Sequence, residues 1–248
     1  PEAGDRFYKG AGIPPDALQN YHKIFGFFGK FVAPLPESYR RIRDGDGVGV
    51  GGNSWEVIVG RGHSPEHACL FNAEQNLLIS GDQLLPTISS NVSVYPTEPA
   101  ADPLGEWLVS LAALKSRVPE DVLVLPAHGK PFRGAHERLE HLRDLTWVRT
   151  QVETLALRQS IAKGDVTWEA NLVAAHHRLA VTPMYFEDGR GNTEWMAAHA
   201  AFHAALAAAA GSPVLERLRR QLYDASELYR YWAGNLPHHP ARAHVADE

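Results

Sequence analysis

Three short apolar runs, each closed by glycine or proline and followed within three residues by an ionisable side chain, constrain this chain more than any other feature. WEVIVG leads to His63, LLISG to Asp82 and VLVLP to His128. Runs of this length, rich in β-branched and aliphatic residues, read as buried strands. Side chains just past the C-terminal ends of such strands converge on one edge of a sheet, where α/β folds place their chemistry. Two imidazoles and a carboxylate gathered there make a ligand set for zinc, iron or manganese. Taken singly, each has a plainer reading. A histidine after a strand is usually a polar loop residue, and Asp82 beside Gly81 suits a turn cap.

The loop contexts add to this. GHSPEH after a strand, then LLISGDQLLP, then LPAHG, in that order within residues 44–133, resembles the second half of the metallo-β-lactamase-fold hydrolases. The resemblance implies that His63 is a ligand of a first metal, that Asp82 bridges two metals and that His128 is a ligand of the second. It implies zinc as the cofactor, two ions in the complete fold, with iron and manganese as alternatives. His67, Gln83, Ser89 and Asn91 are then the candidates for supporting those ligands or touching substrate. The implied reaction is hydrolysis of an ester, thioester or lactone of a small-molecule substrate by metal-bound hydroxide.

The family's other motif, His-x-His-x-Asp-His, is expected upstream of His63, but only His22 precedes that residue and no His-x-His occurs in the chain. Together with the missing initiator Met, this points to a C-terminal fragment that is inactive alone, with a missing N-terminal half or a second copy of itself as partner. The expected fold class is α/β: the second half of an αββα metallo-β-lactamase-type sandwich, followed by a helical C-terminal extension. The alternative is a non-catalytic binding or dimerisation module derived from the same fold, in which the C-terminal helices recruit a partner.

Along the chain, residues 1–36 read as an irregular, Gly-rich lead-in to about residue 13 and then a helix from Pro14, with Leu18, Tyr21, Ile24, Phe25 and Phe28 at helical spacing. Residues 37–133 form the half-domain. In it RDGDG is a turn, two strands flank Gly51-Gly52-Asn53, His67 opens the strand HACLFN, and AEQN turns the chain into LLISGD. Asp102-Pro103 starts a helix with Leu104, Trp107, Leu108, Leu111 and Leu114 on one face. The polar connection before it either lines substrate or simply forms turns. Residues 134–248 form the helical extension, where His199 and His203 stand four apart on one helix without the glutamate of a HExxH motif and read as a packing pair.

Composition excludes some classes. A net charge of −5 and a pI near 6.2 give no uniform basic surface, which counts against a nucleic-acid partner. No apolar run approaches the roughly 20 residues of a membrane span. The one cysteine, Cys69, cannot form an internal disulfide and fits a reducing cytoplasm, the compartment expected.

Overall fold

The computed structural model describes residues 2–10, 15, 18–19, 22, 37–95, 98–183, 186 and 192–234. Two compact units divide the chain, Pro1–Thr154 and Leu155–Glu248. The first is mixed α/β. Its described strands, β1 (Gly47–Val50), β2 (Asn53–Gly60), β3 (His67–Asn72), β4 (Leu77–Gly81) and β5 (Leu123–Pro126), form one sheet in the order β1-β2-β3-β4-β5. Neighbours pair antiparallel up to β4, and β4 pairs parallel with β5.

Local sequence explains the meander. Gly51 and Gly52 both have positive φ, +59° and +81°, as a two-residue type I′ hairpin requires. Between β3 and β4, Asn72 Oδ1 accepts from Gln75 N–H at 2.8 Å and Asn76 takes φ 51°, a conformation asparagine tolerates. The parallel step needs a crossover, supplied by helix α2 (Pro103–Arg117). Asp102 caps it by accepting from Gly105 N–H at 2.9 Å, and it stops where Val118, extended, precedes Pro119.

Ile58, Cys69, Phe71, Leu78 and Val124 turn one sheet face into a core with Trp107, Leu111 and Leu114 of α2. Ala135, Leu139 and Leu142 of helix α3 (Ala135–Lys163) close the same core. Alternation puts Ile79 on the opposite face, where it is 39 % exposed. Cys69 is fully buried, and burial pushes its thiol up to about 12.

Two expectations change. Residues 1–13 are not irregular throughout: Glu2–Gly10 is a helix, α1, with Glu2 and Asp5 in its first turn and Lys9 in its last, charges that suit the helix dipole. Asp5 is also held at 2.5 Å by His22. The face that α2 buries is Trp107, Ser110, Leu111 and Leu114; Leu104 is 39 % exposed and Leu108 only half-buried. The first turns of α3 pack on the sheet of the first unit. The helix expected from Pro14 is helical at Pro15, Leu18, Gln19 and His22, with Leu18 buried; Tyr21, Ile24, Phe25 and Phe28 lie outside the described residues.

The RDGDG turn ties the sheet to α2. Asp44 Oδ1 accepts from Val59 N–H at 2.8 Å and from Arg117 at 2.5 Å, and Arg117 also reaches Glu56 at 2.5 Å. The Val59 N–H, opposed by burial and helped by Arg117, holds the Asp44 carboxyl below its usual range. A depressed carboxylate contributes stability that is present above the unfolded value of about 3.9 and is lost as pH falls through the folded value. Wild type should therefore exceed Asp44→Asn at neutral pH, within the roughly 1 kcal/mol of an exposed pair. Urea midpoints between pH 3 and 7 should show that gap closing on the acid side; a constant gap would assign it to something other than this carboxylate.

The second unit is helical. It holds the last turns of α3, then α4 (Val166–Val181), α5 (Thr193–Ala207), a 3₁₀ turn (Ala208–Ala210) and α6 (Pro213–Gly234). Asp165 and Asn192 cap α4 and α5, and Gly211 at φ +70° ends the 3₁₀ turn. Ala156, Ala207 and Ala210 form its small core with Leu215 against them. Trp168 Nε1 donates to Ala205 O at 2.9 Å and Lys163 Nζ to Ala210 O at 2.7 Å. Among the described residues, no helix is long and apolar enough to cross a membrane.

Candidate metal centre

Packing shapes the turn that carries His63. β2 ends at Gly60, whose missing side chain leaves room for that of Gln83. Gln83 Nε2 donates to Arg61 O at 3.4 Å, and Arg61 N–H donates to Ser110 Oγ at 2.8 Å. Gly62 turns next with φ +95°, and a Cβ on it would lie 2.5 Å from Pro103 O and 2.6 Å from Trp107 Cβ. Glycine alone satisfies both the dihedral and the contact, so α2 sets the direction in which His63 leaves the strand.

Asp82 and His128 arrive at the same edge. The β4–β5 register shifts between Ile79 and Gly81, a bulge of the kind that re-aims side chains beside active sites, and Asp82 follows it directly. Ala127 N–H donates to Gly81 O at 3.0 Å, which brings the His128 turn alongside. The side chains of His63, Asp82 and His128 are 18 %, 20 % and 43 % exposed.

The His63 ring is oriented from behind. Its Nδ1 lies 2.9 Å from Asn91 O; a carbonyl has no hydrogen to give, so Nδ1 is protonated and donates. In the neutral ring Nε2 is then a lone pair, and it faces Asp82 Oδ2 at 3.5 Å. His128 Nε2 faces the other oxygen, Oδ1, at 3.4 Å, and Oδ1 is buried without a hydrogen bond. Both separations exceed the roughly 2.7–2.9 Å of a charge-assisted hydrogen bond. They match the about 3.4 Å between two donors that each lie about 2.1 Å from one tetrahedral ion. Among the described residues no three His, Cys, Asp or Glu close on a single point as one ion would need. The arrangement is two histidine–carboxylate pairs sharing Asp82, and the donor set suits half of a two-ion centre.

The supporting candidates separate. Asn91 contributes its backbone oxygen to His63, while its side chain accepts from Ser93. His67 stands edge-on to His63 with ring centroids 5.8 Å apart and packs against Gly81. Burial first, and then the neighbouring His63, lower its pKa against the opposing pull of Asp82 and the Ser80 backbone. Gln83 is 1 % exposed, with its side chain against Gly60. Ser89 is half-buried on the loop after Asp82.

Three residues escaped the sequence reading. Ser90 Oγ donates to the Asp82 carbonyl, Ser110 receives Arg61 N–H, and Arg138 of α3 donates to Leu85 O and Ile88 O, both at 2.8 Å. Ser110 had left a signal, a polar residue at helical spacing between Trp107 and Leu114. Arg138 left none. In the second unit, His203 Nε2 lies 3.3 Å from His199 Nε2, Tyr223 Oη lies 3.4 Å from His199 Nδ1, and Trp195 stacks on His199 with centroids 5.0 Å apart.

Residues 5–129 match the family model of the metallo-β-lactamase superfamily, and residues 144–247 match that of the FCD domain. The C-terminal helices, expected as an extension of the first fold, thus have a family match of their own. The chain is 31 % identical to the HTH-type transcriptional repressor GlaR of Escherichia coli K12 over 52 % of its own length and 56 % of GlaR. It is 25 % identical to the atrochrysone carboxyl ACP thioesterase of Aspergillus fumigatus over 66 % of its own length and 38 % of that enzyme. It therefore spans about half, or less, of the length of these curated relatives. A metallo-β-lactamase family protein of Thermus thermophilus superposes with a TM-score of 0.52 and 22 % identity, over 89 % of this chain and 59 % of that one, which is a likeness of fold. With a family model spanning half of its residues, the chain belongs to the metallo-β-lactamase superfamily.

Proposed function

We propose that His63, Asp82 and His128 hold divalent metal, zinc by the chemistry of the donor set with iron and manganese as alternatives, and serve hydrolysis of an ester, thioester or lactone. The observation that carries this reading is the pair of imidazole nitrogens set at metal-sharing distance from the two oxygens of one carboxylate, one of them buried without a hydrogen bond. A bound divalent cation would supply a lowered water pKa and charge stabilisation for the oxyanion. The chain's own contribution is orientation: Asn91 O keeps the His63 proton on Nδ1, so Nε2 stays available as a donor. In the reaction water oxygen bonds to the carbonyl carbon and the C–O or C–S bond breaks, yielding an acid and an alcohol or thiol. The thioesterase among the relatives favours a thioester within this class.

Because three donors make only part of a two-ion centre, the isolated chain is expected to take up metal weakly and to turn over little. Two measurements test this. Metal content after dialysis against zinc should be higher in wild type than in His63→Ala; equal content would sink the metal reading. Turnover of p-nitrophenyl acetate, an acyl thioester and a lactone should stay near the uncatalysed rate, and fast metal-dependent turnover would sink the claim of an incomplete centre.

A second reading assigns the C-terminal unit a regulatory or ligand-binding role. The FCD match and the repressor among the relatives favour it, and the His199, His203 and Tyr223 cluster marks where a ligand would meet polar groups. Metal-linked stabilisation lost in His199→Ala but kept in His63→Ala would support this reading over the first.

A further inference from the structure

The residues around the candidate centre share one support. His63 gives its Nδ1–H to Asn91 O. The carbonyl of Asp82 receives Ser90 Oγ. Behind His128, Gly129 has φ +88° and lies so close to Pro86 that a Cβ would come within 2.7 Å of its Cγ. All three contacts land on residues 86–91, a segment without regular secondary structure. Such a segment has no ladder of its own to hold it.

What holds it comes from 50 residues away in the chain. Arg138, in the first turn of α3, is half-buried and sends Nε to Leu85 O and Nη2 to Ile88 O, each at 2.8 Å. The planar fork of a guanidinium can span two carbonyls at once, which a single ammonium cannot do in the same way. A half-buried cation spent on two backbone oxygens, with no carboxylate among these bonds, fixes the path of the segment and not a surface charge.

We propose that Arg138 is the positioning residue of the candidate centre: by clamping residues 85–88 it holds the segment that sets the His63 ring, braces Asp82 and abuts the His128 turn. The inference rests on the metal reading for its consequence, but its geometric core does not need metal. Two variants test it, Arg138→Lys, which keeps the charge and loses the fork, and Arg138→Met, which loses both.

In metal-free protein, ring nitrogen shifts measured by ¹⁵N NMR should show His63 as the Nδ1-protonated tautomer in wild type and as a mixture in both variants. Cobalt(II) affinity should fall about 10- to 100-fold, the range for losing support behind metal ligands, with a changed ligand-field spectrum. Circular dichroism identifies the variants that remain folded, and Arg138→Lys serves if Arg138→Met does not fold. A merely structural arginine would lower the unfolding midpoint and leave tautomer and cobalt spectrum as in wild type; that result in Arg138→Lys overturns the proposal. If wild type and His63→Ala bind cobalt equally, the metal reading fails, and the tautomer measurement still decides the role of Arg138.

Discussion

Asp82→Asn should lose nearly all metal-linked stabilisation while the metal-free protein stays as stable as wild type or gains slightly. The carboxylate is 20 % exposed, with its Oδ1 buried and without a hydrogen bond, and each oxygen is 3.4 to 3.5 Å from an imidazole nitrogen. An amide of the same shape carries no charge to bury and can turn its NH2 towards the His63 Nε2 lone pair, so the metal-free state loses nothing by the exchange. With metal at a hundred times the dissociation constant, wild type should gain about 2.7 kcal/mol, since binding to the folded state alone stabilises it by mass action. The variant lacks the shared anion, so its gain should be near zero. Urea unfolding with EDTA and with excess zinc measures both numbers. A variant that keeps the full zinc-linked rise would remove Asp82 from the ligand set.

The second large effect lies one residue before His63. Gly62→Ala should destabilise the first unit by about 2–5 kcal/mol, the sum of a left-handed backbone cost of about 1–2 kcal/mol and overpacking of about 1–3 kcal/mol. The new methyl would meet Pro103 O at 2.5 Å and Trp107 Cβ and Cα at 2.6 and 2.8 Å. Backbone atoms of a helix cannot move aside as the end of a flexible side chain can. Gly45→Ala separates the two costs: its φ is +82°, yet nothing lies within 4 Å of the added carbon, so only the backbone cost of about 1–2 kcal/mol remains. The midpoint of thermal unfolding should drop on the order of 10 °C for Gly62→Ala and a few degrees for Gly45→Ala. Equal losses would mean that α2 gives way and does not dictate the turn.

Several features were readable because neighbours in the chain produce them. The Gly51-Gly52 hairpin follows from positive φ at two adjacent glycines, and β3 begins at His67 as its apolar run begins. The placement of His63, Asp82 and His128 past three strand ends follows from strand length and closing residue. Helix rotation was less readable: Leu104 and Ser110 compete for the same stripe of α2, and only the groove above the sheet decides that Ser110 goes in.

By itself, the sequence determined the strands, their order of ionisable ends and the resemblance that made this superfamily expected, because these depend on periodicity and turn chemistry over a few adjacent residues. Only the tertiary structure decided that two imidazoles meet opposite oxygens of one carboxylate, and that an arginine 50 residues from its carbonyl partner steadies the loop behind them. Such meetings are set by the bulge in β4, the crossover through α2 and the packing of α3, and no residue pattern along the chain records distances across a fold.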